Sequence, residues 1–161
     1  MNGESVSSNE ILDIIIQKNT MSDANVDLAQ ALYLYNVPVK FEAIDDPGAL
    51  MEFKIEGGER YIAIDAYKMT FVSKCYASDA FLHEIIHHVV EDTLYNPRTQ
   101  AQREFRDLNK KLYDLFDKRF PASQYDRSNT RAGYYALTDE YEFAAEFATN
   151  KQTRELVFRE A

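Results

Sequence analysis

The chain is short of the residues that mark several whole classes of protein. It has one cysteine, Cys75, in 161 residues. An internal disulfide and a metal cage of thiolates alone are therefore excluded. Basic side chains are the minority, 18 Lys and Arg against 27 Asp and Glu, for a formal charge of -9. A general nucleic-acid binder wants the opposite balance. No apolar run approaches the ~18 residues of a membrane span. The start, Met1 to Ser5, is polar and acidic, and the short run Ile11 to Ile16 is interrupted by Asp13. That is not a signal peptide, and a cytoplasmic protein is expected, or one delivered or secreted by another route. Glycine and proline are sparse, and no repeat or low-complexity tract is visible. What remains is 45% hydrophobic and 28% charged, the make-up of one ordinary globular domain over residues 1–161.

Periodicity predicts a mixed α+β fold. Ser7 and Glu10 form a capping-box signature ahead of Leu12, Ile15 and Ile16, so a helix is expected there. A second is expected from Ser22 to about Tyr35, completing an N-terminal helical part over 1–36. Between 38 and 65 the period changes to two. Val39, Phe41 and Ala43 alternate with polar residues, as do Met51, Phe53 and Ile55. Gly57-Gly58 then supplies a two-residue turn into Tyr61 to Ile64. A small antiparallel sheet is the expectation. Helix returns at 78–93, with Ser78 as its cap. Asn96-Pro97 opens another helix, with Ala101, Phe105, Leu108, Leu112 and Leu115 as its apolar stripe. Its seven basic residues read as a solvated face. Residues 121–137 read as a polar, Tyr-rich loop of a length that is often functional. Thr138 is the expected cap of a last helix, 138–150.

The chemistry is concentrated in one stretch. All three histidines lie in Phe81-Leu82-His83-Glu84-Ile85-Ile86-His87-His88. His83 and His87 are four apart and share a helix face, so both imidazoles can reach one Zn²⁺. Glu84 follows the first histidine, positioned to take a proton from an activated water and pass it to a leaving amine. Its neighbours Leu82, Ile85 and Ile86 make this a core helix, where two bulky polar groups need partners. A third ligand is sought among carboxylates, with Cys75 less favoured. Glu142 and Glu146 share a face in Asp139-Glu140-Tyr141-Glu142-Phe143-Ala144-Ala145-Glu146. Glu142 can complete a His₂Glu site, with Glu140 its main rival. Glu146 can accept the far N–H of a ligating histidine.

His83-Glu84-x-x-His87 with Glu142-x-x-x-Glu146 resembles the gluzincin metallopeptidases, which hold zinc through two histidines and a glutamate. The resemblance is closest to the branch of the anthrax lethal factor catalytic domain and the Pro-Pro endopeptidases. There a tyrosine precedes the zinc glutamate by seven residues, and that glutamate opens a Glu-Phe-x-Ala-Glu run. Tyr135 precedes Glu142 by seven, and the run here is Glu142-Phe143-Ala144-Ala145-Glu146. The stretch is also similar to metallopeptidase domains in polyvalent proteins of phages and conjugative elements. The resemblance spans about residues 60–155. It implies a minimal zincin-like domain, one zinc ion, and a peptide or protein substrate. It implies His83, His87 and Glu142 as metal ligands, Glu84 as general base, Glu146 behind a histidine, and Tyr135 (beside Tyr134) as oxyanion donor. The strand Tyr61–Asp65 takes the place of the edge strand that holds extended substrate in such peptidases. His88 departs from the pattern, where relatives often have a small residue, and is not assigned to the metal. The expected function is a zinc-dependent endopeptidase. Two alternatives are a catalytically silent toxin or regulatory module that binds a partner on the same fold, and a peptidase of the ImmA type that cleaves a regulator.

Overall fold

A computed structural model of the chain describes residues 6–119 and 139–160. They form an α+β structure in two compact units, Met1–His88 and Val89–Ala161, with the boundary inside one helix.

In the first unit, α1 (Ser8–Lys18) starts at the expected capping box. The Ser7 hydroxyl accepts from Glu10 N–H, and Ser7 N–H donates to Glu10 Oε2 at 2.7 Å. Leu12 and Ile15 are buried. The helix stops at Asn19, whose φ of 45° is left-handed. The single helix expected from Ser22 to Tyr35 is instead a 3₁₀ turn at Asp23–Asn25 followed by α2 (Val26–Leu32). The cause is Asp79. Its Oδ1 accepts from Ser22 N–H, the Ser22 hydroxyl and the Asn25 amide, which holds the chain in the tighter turn.

The sheet contains four strands among the described residues: β1 (Val6–Ser7), β2 (Pro38–Phe41), β3 (Met51–Glu56) and β4 (Glu59–Ile64), in the order β1-β2-β4-β3. The β3–β4 hairpin turns at Gly57 and Gly58, both at positive φ (60° and 86°), as a two-residue hairpin of this twist requires. The sheet is mixed rather than antiparallel, because β2 pairs with β4 in parallel. The segment 42–50 makes this possible by carrying the chain across to the far side of β4. It is tied down by Lys68 on the short helix α3 (Ala66–Met69), whose ammonium donates to the carbonyls of Ile44, Asp46 and Ala49 at 2.7, 2.6 and 3.1 Å. Asp65 caps α3 through Tyr67 and Lys68 N–H and also accepts from Ile44 N–H. Those backbone bonds hold its carboxyl below the usual range, those of Lys68 and Ile44 most.

One expectation fails here. Strand Tyr61 to Asp65 is not an edge, since β4 is flanked by both β2 and β3. Its backbone is committed on both sides, and among the described residues β3 forms the border of the sheet instead.

Helix α4 (Lys74–Tyr95) is longer than expected at both ends. Ser73 is the cap, its hydroxyl accepting from Tyr76 N–H at 3.1 Å. Ser78, expected in that role, lies inside the helix and is buried, with its hydroxyl 2.8 Å from that of Thr20.

In the second unit, α5 (Gln100–Arg119) is capped by Thr99 rather than by Asn96-Pro97. The Thr99 hydroxyl accepts from Gln102 N–H while Gln102 Oε1 accepts from Thr99 N–H, a reciprocal pair that outcompetes the earlier start. Its buried side is also rotated from the expected stripe. Leu108 and Leu115 are exposed, whereas Asn109 and Phe116 are buried. Phe116 joins Phe143 and Val157 in the core of this unit, with Leu112, Tyr113 and Phe147 packed on it. α6 (Glu140–Thr149) and α7 (Lys151–Glu160) supply the rest of that core. The loop expected at 121–137 and the cap Thr138 lie outside the described residues; Asp139 caps α6. Among the described residues no helix is long and apolar enough to cross a membrane.

Candidate metal centre

Helix α4 is fixed by its apolar residues. Phe81, Leu82, Ile85, Ile86 and Val90 are all buried, a burial worth about 1.5–3 kcal/mol per large side chain. The helix therefore has little freedom to rotate, and His83 is carried into the interior with it, at 8% exposure. One turn on, His87 Nε2 lies 3.0 Å from His83 Nε2. The rings meet edge to face, 4.7 Å between centroids and 69° between planes. The two nitrogens are thus aimed at a common point.

Glu142 stands in the first turn of α6, where Asp139 accepts from the N–H groups of Tyr141 and Glu142 itself at 2.9 Å. The ligand atoms of His83, His87 and Glu142 all lie within 4.8 Å of one another, and this group can hold a metal ion. Two nitrogens 2.0–2.1 Å from a tetrahedral ion stand about 3.3 Å apart. The observed 3.0 Å is close to that, and a glutamate has three torsions with which to shorten its own reach. The donor set, two imidazoles and a carboxylate, suits a divalent transition metal.

The rivals for the third position are turned elsewhere. Glu140 Oε1 accepts from Lys110 at 3.2 Å, which raises the Lys110 ammonium pKa, and the Glu140 carbonyl accepts from Asn109. Cys75 is eight residues before His83, about 12 Å along the helix. Its thiol is exposed and directed at Asp79, with its pKa pushed up, first by desolvation and then by that carboxylate.

Glu146 shares a face with Glu142, but its Oε2 accepts from Asn150 at 2.8 Å and from the buried Thr153 hydroxyl at 3.2 Å. It is thereby tied into the α6–α7 junction. Tyr135 and Tyr134 lie outside the described residues.

Glu84 Oε2 accepts from the backbone N–H of Phe53 at 2.8 Å. Phe53 is on β3, and its ring meets His88 edge-on, 5.6 Å between centroids. This gives His88 a packing partner and places Phe53 beside Glu84 and His88. Sequence reading passed over Phe53 because the group that meets Glu84 is its main-chain N–H. The alternation of Met51, Phe53 and Ile55 identified a strand; it carried no sign that this strand borders the sheet beside Glu84.

Near α6, Tyr141 stacks on Tyr95 at 4.7 Å. Its hydroxyl pKa is pushed far up, first by burial and then by the Tyr95 hydroxyl. It stays protonated, a neutral donor next to Glu142 in sequence.

Compared with known proteins, the chain matches no family model, no curated protein and no solved structure.

Proposed function

We propose that the chain is a zinc-dependent endopeptidase of the gluzincin kind. The observation that carries this is the convergence of His83 Nε2 and His87 Nε2 at 3.0 Å, with a Glu142 carboxylate oxygen within 4.8 Å of both. Zinc held by these three groups would supply Lewis acidity, lowering the pKa of a water toward about 7 and polarising a peptide carbonyl. Glu84, the next residue after His83, accepts the water's proton and delivers it to the leaving amine. Tyr135 is assigned the oxyanion donor by the resemblance, and Glu146 the carboxylate behind a ligand histidine.

The substrate is an extended peptide added to β3. The Glu56–Glu59 pair flanks a two-residue turn, so it exchanges hydrogen bonds, as do the pairs of Lys54 and Glu52. The N–H and C=O groups of Met51, Phe53 and Ile55 therefore point away from β4. A groove of about 440 Å³ lined by Asp45, Asp46 and residues 52–56 runs beside them. Backbone pairing there gives affinity, and the groove receives alternate side chains.

The test is incubation of the zinc-loaded chain with a peptide library, with and without chelator. Cleavage is expected, and Glu84→Gln should lower it at least about a hundredfold while zinc content stays unchanged. Undiminished cleavage by Glu84→Gln overturns the role of Glu84. No cleavage by the zinc-loaded parent overturns the peptidase reading.

A further inference from the structure

We propose that the Phe53 N–H is contested: Glu84 Oε2 holds it in the free chain, and an extended peptide takes it over on binding, so that substrate pairing removes this one hydrogen bond from the carboxylate. The proposal rests on the peptidase reading above.

Phe53 pairs with Ile62 at a position that does not exchange hydrogen bonds with β4. Its N–H is directed outward, and Glu84 Oε2 receives it at 2.8 Å. The contact of the Phe53 ring with His88 keeps this part of β3 against the face of α4 that carries Glu84. A peptide joining β3 needs that same N–H, because Phe53 lies in the middle of the outward set Met51, Phe53 and Ile55. One N–H makes one well-aligned bond. The peptide carbonyl and the Glu84 carboxylate are therefore alternatives. The bond to the carboxylate is the stronger single contact, being charge-assisted. The peptide prevails by adding bonds to the neighbouring outward groups. No covalent change is involved; a hydrogen bond passes from Glu84 to the substrate backbone. Strand formation thereby changes the hydrogen bonding of the Glu84 carboxylate oxygen that faces β3.

The experiment uses the full chain, metal-free so that nothing is cleaved, with ¹⁵N labelling to follow the Phe53 amide. The probe is the library peptide that the zinc-loaded chain cleaves fastest. Without peptide, exchange of the Phe53 amide should rise about tenfold in Glu84→Ala, the loss expected for one charge-assisted bond, and much less in Glu84→Gln, which keeps an acceptor. With peptide, protection of that amide should return in Glu84→Ala, and this variant should bind about tenfold more tightly than the parent because the competitor is gone. Equal affinity of parent and Glu84→Ala, or a Phe53 amide that ignores the peptide, overturns the proposal while the peptidase reading stands. A library that yields no cleaved peptide removes both.

Discussion

Helices α4 and α6 carry the same device, two ionisable side chains four residues apart, in different local surroundings. In α4, His83 and His87 stay together, nitrogen to nitrogen at 3.0 Å. In α6, Glu142 joins the histidines while Glu146, one turn on, is engaged by Asn150 and Thr153. Spacing decides which side chains share a face. It does not decide which of them find nearer partners. The histidines sit mid-helix, where backbone groups are spent on one another and flanking side chains are apolar. Glu146 sits near a helix end. There Asn150 both caps α7, accepting from Gln152 and Thr153 N–H, and reaches back to the carboxylate.

The strongest way to break the contrast is to loosen α6 alone. Phe143 is 1% exposed and touches Phe116, Tyr113 and Phe147. Phe143→Ala should cost about 3–5 kcal/mol of stability, read as a fall in the urea midpoint. Next comes the proposed ligand. Glu142→Ala should weaken zinc binding at least about a hundredfold, whereas Glu140→Ala should leave it within about twofold; calorimetric titration of both separates the two glutamates. Glu146→Gln tests whether its engagement at the junction is its whole purpose. A carboxylate that also orients a ligand histidine predicts zinc affinity ten- to a hundredfold lower. A purely junctional one predicts unchanged zinc affinity and a loss of about 1 kcal/mol in stability.

The smallest effect concerns the segment leading to β3. The folded-state pKa of Asp65 is lowered from its ordinary 3.8. Its contribution is therefore present above pH 3.8 and disappears as pH falls through the lower folded value. Asp65→Asn should be less stable than the parent at neutral pH, and the difference should close in acid. A gap in urea midpoint that stays constant down to pH 2 would contradict this.

The parts of the molecule written in short patterns were legible in advance. The Ser7–Glu10 capping box, the Gly57-Gly58 turn and the pairing of His83 with His87 each depend on residues close in sequence. What escaped depends on distant partners. The two-residue strand Val6–Ser7 is too short to show a period, and it exists through pairing with Val39 and Pro38. The parallel pairing of β2 with β4 requires the segment 42–50 to cross over, held by Lys68 from beyond the sheet. The buried side of α5 is selected by Phe143, not by its own most apolar stripe. In the site, the grouping of His83, His87 and Glu142 could be expected from spacing and chemistry. The Phe53 N–H could not, because every residue but proline has one and only topology says which is turned outward.

The central claim is that one ion is shared by two turns of α4 and the first turn of α6. X-ray absorption at the zinc edge of the loaded protein addresses it directly. The account predicts two imidazole nitrogens and a carboxylate oxygen at about 2.0–2.2 Å, with the carboxylate lost in Glu142→Ala. A sulfur ligand, fewer than two imidazoles, or a spectrum unaltered by Glu142→Ala would contradict it.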